Sequence, residues 1–306
     1  MARRSTPTGL CGILALDKPE GMTSHDVVDA VRRVTAERRV GHAGTLDPLA
    51  TGLLLVCVGP ATRLASFLMA GIKTYEARIC FGRATTTDDA EGKTMQVAEL
   101  PSQLSDAAYA AQVLEGMLGE FEQLPPAFSA IKKEGVTAYK AARAGEQLAL
   151  EPRRVTLYDA AVCTAGPDFW EVILAVSKGF YVRSFARDLG QELGSAAHLG
   201  ALRRTASGSV TIEQATLFPL AEPLQFLDPI AALGLPVVEV DAGQAQHVAN
   251  GRPLTLKKAP LSQTLISIAH DSRLLALYEP VGSSGLAQPK VVIPGGVTCP
   301  PSPRGA

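Results

Sequence analysis

The sequence predicts an α+β protein with a mainly antiparallel mixed sheet flanked by helices. Strand-like and helix-like segments follow one another in mixed order, and no repeating strand–helix–strand unit is visible. The 306 residues, 46% of them hydrophobic, can fill a sizeable core. Short strands broken by Gly, Pro and Ser begin near residue 235. We therefore predict a main domain over residues 1–235 and a small β-rich module with a disordered tail over residues 236–306.

The first predicted elements are a strand, a helix and two further strands. The apolar stretch Gly12–Leu16 is typical of a buried strand, and the unbroken run LLLVCVG at 53–59 is typical of a central one. Between them, Thr23 and Asp26 form a capping box for a helix with three valines at helical spacing: Val27, Val31 and Val34. Side chains alternate over residues 74–82, which predicts a strand in a half-covered sheet.

Later segments continue the same mixture. After the polar turn TTTDDAEGK, residues Ser105–Phe121 have helical spacing, and residues 124–152 mix proline, glycine, aromatic and basic residues, which indicates an excursion from the core. Val155–Cys163 and Phe169–Val176 alternate as strands do. In SKGFYVRSFARDLGQELG at 177–194 the period changes from 2 to 3.6, which predicts that a strand feeds a helix through Gly179.

The charge balance excludes a generally polyanion-binding protein. The net charge is -1 and the pI is about 6.5, so a nucleic-acid site must be local. Basic residues do occur in pairs, which contact phosphates if several pairs share one face and are otherwise solvated surface. The pairs are Arg32–Arg33, Arg38–Arg39, Lys132–Lys133, Arg153–Arg154, Arg203–Arg204 and Lys257–Lys258.

Cysteine and histidine spacing predicts neither disulfides nor a metal site. The five cysteines include no C-x-x-C, and the five histidines lack the spacing of metal ligands, which favours a reducing compartment. The apolar stretch Gly9–Leu16 behind a basic head resembles a signal peptide, but it is short and continues into Asp17-Lys18-Pro19. No apolar run reaches the ~18 residues that span a bilayer. We predict a cytoplasmic protein without membrane contact or metal.

A lone carboxylate stands in GHAGTLDPLATGLL, residues 41–54. Pro48 disfavours a helical backbone at Asp47, and the surrounding glycines permit tight turns and close approach by a ligand. The commonest role of such an aspartate is an N-cap or turn residue, and this alternative stays open. One carboxylate can also act as a nucleophile without a cofactor. If buried, it needs a cation to stay ionised, and Arg183 in KGFYVR is a candidate, unless it is an exposed helix residue.

Five motifs in order resemble the bacterial tRNA pseudouridine synthases of the TruB family. They are LALDKPEGMTSHDVV, GHAGTLDPLATGLL, KTYEARICFG with TTTDDAEG, SKGFYVRSFARDLG and HLGALRR, and they extend over residues 10–212. The resemblance implies a pseudouridine synthase fold with a PUA-like RNA-binding module at the C-terminus. It implies an isomerase that flips the uridine at tRNA position 55 out of the T-loop and converts it to pseudouridine without a cofactor. It also implies a monomer whose partner is the tRNA T-arm.

The resemblance assigns catalytic roles to three residues. Asp47 matches the nucleophile, which attacks the uracil ring or ribose C1′. Tyr75 matches the tyrosine that stacks on the target base, although a plain core aromatic is the alternative on an alternating strand. Arg183 matches the arginine that pairs with the catalytic aspartate.

Four further residues match substrate-binding positions. His42 matches the histidine that fills the space left by the flipped base, and Lys18 matches the basic residue that meets the substrate or supports the site. Tyr181 and Leu202 match residues that line the uracil pocket. A structural histidine and a core leucine are the alternatives for His42 and Leu202.

Residues 124–152 match an insertion that closes over the RNA. Four basic residues in it suit phosphate contacts: Lys132, Lys133, Lys140 and Arg143. Phe180 departs from the family, which commonly has threonine there. Two other functions stay open. One is a tRNA-binding folding chaperone with catalysis secondary, and the other is a guide-RNA-dependent pseudouridylase. The insertion argues against the second, because it lets a single protein hold its own RNA.

Overall fold

The computed structural model describes residues 8–129, 132–133, 136–137, 148–220, 223–256, 265–282 and 285–298. The chain divides into two compact units. The first unit consists of Met1–Pro48, Gly52–Gly71 and Ala206–Ala306, and the second of Leu49–Thr51 and Ile72–Thr205. The predicted boundary at residue 235 differs from this division and stays a prediction.

In the first unit, the predicted N-terminal strands pair with each other. Strand β1 (Gly12–Lys18) is antiparallel to β3 (Thr51–Val58), and Asp17 lies opposite Leu53. Strand β2 (Val40–His42) extends β3 on its other side as a short antiparallel partner. Both long strands are almost wholly buried, as the apolar runs predict.

Helix α1 (Ser24–Thr35) begins at the predicted capping box. The Thr23 hydroxyl accepts the Asp26 N–H, and the Asp26 carboxylate accepts the Thr23 N–H in return. A 3₁₀ turn (Gly59–Leu64) and the short helix α2 (Ala65–Leu68) follow β3.

The C-terminal part of the first unit is β-rich, as predicted. Its sheet contains β15 (Val237–Glu239), β16 (Leu254–Thr255), β17 (Ile266–His270), β18 (Arg273–Val281) and β19 (Leu286–Thr298), in the order β15-β17-β18-β19-β16. Two short strands, β13 (Val210–Thr211) and β14 (Thr216–Leu217), and helices α5 (Pro229–Leu233) and α6 (Ala242–Ala249) complete it.

One apolar core joins the two ends of the first unit. Leu274 and Ile293 from the C-terminal sheet belong to the same buried cluster as Ile13, Leu53 and Leu55 from the N-terminal strands. The β-rich module therefore does not have a wholly separate core. The predicted disordered tail, residues 299–306, lies outside the described residues.

The second unit has an antiparallel sheet in the order β12-β4-β11-β10-β7. The strands are β4 (Lys73–Phe81), β7 (Gly119–Gln123), β10 (Arg153–Ala165), β11 (Phe169–Val176) and β12 (Ala197–Ser207). Two hairpins accompany it, formed by β5 (Arg83–Thr85) with β6 (Thr94–Val97) and by β8 (Lys132–Lys133) with β9 (Val136–Thr137). The helices are α3 (Ala107–Gly116) and α4 (Val182–Glu192).

The alternation predicted for β4 is confirmed. Its inward residues are all buried: Tyr75, Ala77, Ile79 and Phe81. They share the core with Trp170 of β11, whose indole N–H donates to the Leu104 carbonyl at 2.8 Å, so the largest buried side chain has no unsatisfied donor.

One predicted element near this sheet is wrong. The helix expected over Ser105–Phe121 ends at Gly116, because Gly119 takes a left-handed backbone (φ 113°) and Phe121 pairs opposite Val155 in β7. This error follows from local spacing, which does not see the partner strand. The strand predicted to feed the next helix through Gly179 is confirmed, because β11 ends at Val176 and a turn at Gly179 leads into α4. The α+β class itself is confirmed.

Within the described ranges, no helix is long and apolar enough to cross a membrane.

Candidate active site

The loop that carries Asp47 is anchored on both sides of that residue. The buried Ser24 hydroxyl donates to the Leu46 carbonyl at 3.0 Å and accepts the Leu46 N–H at 2.8 Å. On the other side, the Pro48 carbonyl accepts the Gly21 N–H at 2.9 Å. Asp47 itself is half-buried and precedes a turn, not a helix, so the N-cap role is wrong and the turn role stays open as the alternative. Its backbone is held while its side chain stays accessible to a ligand.

Lys18 is the second anchor of this loop. The side chain is fully buried, and its ammonium donates to the carbonyls of Pro19 at 2.9 Å, Met22 at 2.6 Å and Pro48 at 3.3 Å. A buried ammonium needs such oxygens around it to offset its lost hydration. Of the two roles predicted for Lys18, this placement favours support of the site.

Removal of the Ser24 hydroxyl should loosen the Asp47 loop. We expect Ser24→Ala to lower the free energy of unfolding by about 1–3 kcal/mol, because it leaves both backbone groups of buried Leu46 without this partner. Urea unfolding measures the loss. Ser102→Ala, at an exposed serine, is the matched control. Equal stability of the two variants would contradict the anchor.

Arg183 is buried at the first turn of α4 and faces the turn at residues 86–92, here called the acidic turn. Its guanidinium donates to the carbonyls of Thr87 at 3.0 Å and Phe128 at 2.9 Å, and lies 3.6 Å from the Asp89 carboxylate. Both charged side chains are only 5% exposed. The exposed-helix alternative for Arg183 is therefore wrong.

The acidic turn is held at several points. The Asp89 carboxylate accepts the Thr87 hydroxyl and the Glu91 N–H, which closes the turn on itself. Asp88 has a left-handed backbone (φ 60°) and pairs with Arg187 of α4 at 3.0 Å. Burial raises the pKa of the Asp88 carboxyl, and the charge of Arg187 opposes that rise.

Tyr181 stands at the N-cap position of α4, and its backbone is held by one buried side-chain amide. The Gln123 side chain accepts the Tyr181 N–H at 2.8 Å and donates to the Tyr181 carbonyl at 3.1 Å. Phe180, beside it, packs between Phe121 and Phe185 at ring distances of 6.0 and 5.7 Å. The departure from threonine thus places an aromatic ring between β7 and α4, away from the charged groups.

Tyr75 and Leu202 lie on neighbouring strands of the second unit. Tyr75 is 9% exposed on the inward face of β4, and Leu202 is half-buried on β12. The Leu202 carbonyl accepts the Thr51 hydroxyl at 3.5 Å.

His42 is half-buried at the end of β2, where it lies opposite Val56 of β3. The structure thus brings Lys18 to the Asp47 loop in the first unit and gathers Arg183 and Tyr181 on α4 in the second. The pairing of Asp47 with Arg183 stays a prediction. Lys140 and Arg143 of the insertion lie outside the described residues.

Sequence reasoning missed three supporting residues. Ser24 anchors the Asp47 loop, Gln123 clamps Tyr181 and Asp89 faces Arg183. Ser24 and Gln123 carried no local signal, because each acts on a segment distant in sequence. Asp89 was visible as an acidic pair in TTTDDAEG, but it received no role.

Comparison with known proteins identifies the family of this chain. Residues 32–182 match the TruB family pseudouridylate synthase (N terminal domain). The tRNA pseudouridine synthase B of Thermobifida fusca is 43% identical over 302 residues, which cover 93% of this chain and 99% of the relative. The protein of the same name from Mycobacteroides abscessus is 41% identical over 286 residues, which cover 90% and 95%.

Solved structures agree on the fold. A chain of a Cbf5-Nop10-Gar1 complex superposes with a TM-score of 0.69 at 23% identity, over 92% of this chain and 84% of that one. The matching family and the names of these relatives define a pseudouridine synthase, an enzyme that isomerises uridine in RNA. Within that class, the chain belongs to the TruB family.

Proposed function

We propose that this enzyme converts the uridine at position 55 in the T-loop of tRNA to pseudouridine, with Asp47 as nucleophile and no cofactor. The relatives named tRNA pseudouridine synthase B support tRNA as the substrate. The observation that carries the proposal is the anchored, half-buried Asp47, a single carboxylate on a fixed backbone. A fixed nucleophile lowers the entropic cost of attack.

The reaction balances without a co-reactant. The bond between N1 of uracil and C1′ of ribose breaks, and a bond between C5 and C1′ forms. A proton leaves C5 and N1 gains one, so product and substrate are isomers. Asp47 would form a transient covalent bond to ribose C1′ or to the uracil ring, and that bond breaks again before release. No electrons are gained or lost, so no redox cofactor is required.

Base flipping gives roles to the other predicted residues. Removing a loop uridine from its stack costs about a few kcal/mol, which new stacking contacts can offset. Tyr75 would stack on the flipped base, Tyr181 and Leu202 would line its pocket, and His42 would occupy the space it leaves. Arg183 would keep Asp47 ionised.

A groove in the first unit carries two cations beside an aromatic ring, and one of them, Lys290, also pairs with Glu279 at 3.0 Å. This open groove of about 610 Å³ lies between the segment after β3 and strand β19, and Arg63, Phe67 and Lys290 line it. Arg63 donates to the Val292 carbonyl at 2.7 Å, which fixes its position. Cations beside an aromatic ring suit a nucleic-acid backbone.

Tritium release tests the proposal directly. We expect the protein alone, in EDTA, to release about one tritium per molecule from a T-arm stem-loop labelled at C5 of its uridines, because only the C5–H bond of the target uridine breaks. The matched control replaces the uridine at position 55 with cytidine and should release none. Release from the control would contradict the position, and release only after metal addition would contradict cofactor-free chemistry.

The same assay separates the two alternatives. Tight tRNA binding without release would favour the folding chaperone. Release only after a guide RNA is added would favour a guide-dependent enzyme.

A further inference from the structure

His198 is a buried histidine whose two ring nitrogens both contact the same residue, Arg83. It lies at the start of β12 with 3% exposure, Nδ1 is 2.9 Å from the Arg83 carbonyl, and Nε2 is 3.3 Å from a guanidinium nitrogen of Arg83. A carbonyl only accepts and a guanidinium only donates. This pair of contacts therefore requires Nδ1 to carry the proton and Nε2 to offer its lone pair, which is the neutral ring.

His198 on β12 and Arg83 on β5 lie on the two strands that flank the acidic turn. Leu199, next to His198, donates its N–H to the Asp88 carbonyl at 3.0 Å, and it forms a parallel bridge with Asp89. Thr85, two residues after Arg83, donates its hydroxyl to the Asp89 carbonyl at 2.6 Å. The contact between His198 and Arg83 thus ties together the two strands that hold Asp88 and Asp89.

We propose that His198 is a positioning residue for the isomerisation. Its neutral ring, locked to Arg83, fixes the acidic turn, and the turn in turn fixes the guanidinium of Arg183. The inference rests on the role proposed above for Arg183. It adds a residue that touches no substrate and acts through the carboxylate of Asp89.

The charges around His198 support this assignment. Burial lowers the pKa of the ring from 6.5, and the positive charge of Arg83 lowers it further, whereas the hydrogen bond to the Arg83 carbonyl and the charge of Asp89 raise it. Arg83 faces the ring from β5, and Asp89 faces it from the acidic turn. Protonation removes the lone pair on Nε2 and sets two cations against each other, so the lock opens on the acid side.

The sign of the pH effect follows. Well above pH 6.5 the ring is neutral in both folded and unfolded chains, so it contributes no pH dependence there. As the pH falls below 6.5, the unfolded ring takes its proton first, and the folded protein loses stability down to the lowered folded pKa. The rate of isomerisation should decline over the same acid window.

The experiment measures single-turnover rates with saturating enzyme and T-arm RNA, over about pH 5 to 8. Three variants are compared with the wild type: His198→Gln, His198→Ala and the control His25→Gln, whose side chain is 71% exposed. Glutamine can accept from the Arg83 guanidinium and donate to its carbonyl at every pH. Alanine can do neither.

We expect His198→Ala to lower the rate about tenfold or more at pH 7.5 with unchanged RNA affinity, because positioning affects the chemical step. His198→Gln should restore most of that rate and flatten the acid decline, and His25→Gln should match the wild type. A wild-type acid decline in His198→Gln, or a wild-type rate in His198→Ala, would overturn the proposal.

A variant at a second position still tests the proposal if substitution of buried His198 unfolds the protein. Arg83→Met leaves the histidine in place and removes the guanidinium that Nε2 contacts, so the rate should fall at pH 7.5 and the acid decline should flatten. A wild-type rate with a wild-type acid decline in Arg83→Met would contradict the lock. Absence of tritium release by the wild type at every pH would instead contradict the proposed function, whatever the stability and pH behaviour of the His198 variants.

Discussion

Substitution of Asp47 with asparagine is expected to abolish turnover, with a loss of at least ~10⁴-fold in tritium release, because a neutral amide cannot act as the nucleophile. RNA affinity should stay within about threefold of the wild type, since the change is nearly isosteric and removes one negative charge. The anchors from Ser24 and Gly21 bind the backbone beside Asp47, so the loop should keep its shape. Filter binding and single-turnover assays measure the two effects separately.

Asp29→Asn is the matched control for Asp47→Asn. Asp29 lies on α1, is 43% exposed and pairs with Arg32 at the surface. Its loss should leave the rate unchanged. If Asp47→Asn retains turnover within about tenfold of the wild type, the nucleophile is another group.

Arg183→Leu is expected to cost about 3–5 kcal/mol of unfolding free energy and all measurable activity. The reason is the buried pair: the substitution leaves the Asp89 carboxylate without this cation at 5% exposure. It also removes the donors to the carbonyls of Thr87 and Phe128. Urea unfolding measures the stability loss, and tritium release measures the activity.

Two comparisons test whether the loss of unfolding free energy comes from the buried ion pair between Arg183 and Asp89. Arg154→Leu breaks an exposed pair with Glu120 and should cost less than ~1 kcal/mol. The double variant Arg183→Leu with Asp89→Asn should be more stable than the sum of the single losses predicts, because no buried charge is left uncompensated. Additive losses would show that the pair is not coupled.

Elements set by local signals could be predicted from the sequence. The capping box of Thr23 and Asp26 and the alternating strand β4 form as expected, because both depend on neighbouring residues. The end of α3 was missed because Phe121 continues the helical spacing, and only its partner Val155, far along the chain, makes that segment a strand.

The site was predictable to the same extent. Asp47 stands out through Asp-Pro and its glycines, which are local features. Ser24 and Gln123 are ordinary polar residues whose hydrogen bonds connect segments 22 and 58 positions apart. The residues next to them in the sequence do not indicate these hydrogen bonds. Lys18 lies in a sequence motif, but the motif does not indicate how deeply its side chain is buried. Its complete burial is a result of the fold.

Residues 123–128, where the predicted insertion begins, are attached to the start of helix α4, and this attachment affects which changes in chain length the enzyme can tolerate. The Gln123 side chain and the carbonyls of Leu124 and Phe128 are all bonded to helix α4, through Tyr181, Ser184 and Arg183. Six residues of chain are thereby tied to the helix that carries the arginine. The position of Arg183 is in this way decoupled from the length of the segment beyond residue 129. A designer could therefore shorten, extend or exchange that segment and leave helix α4 in place.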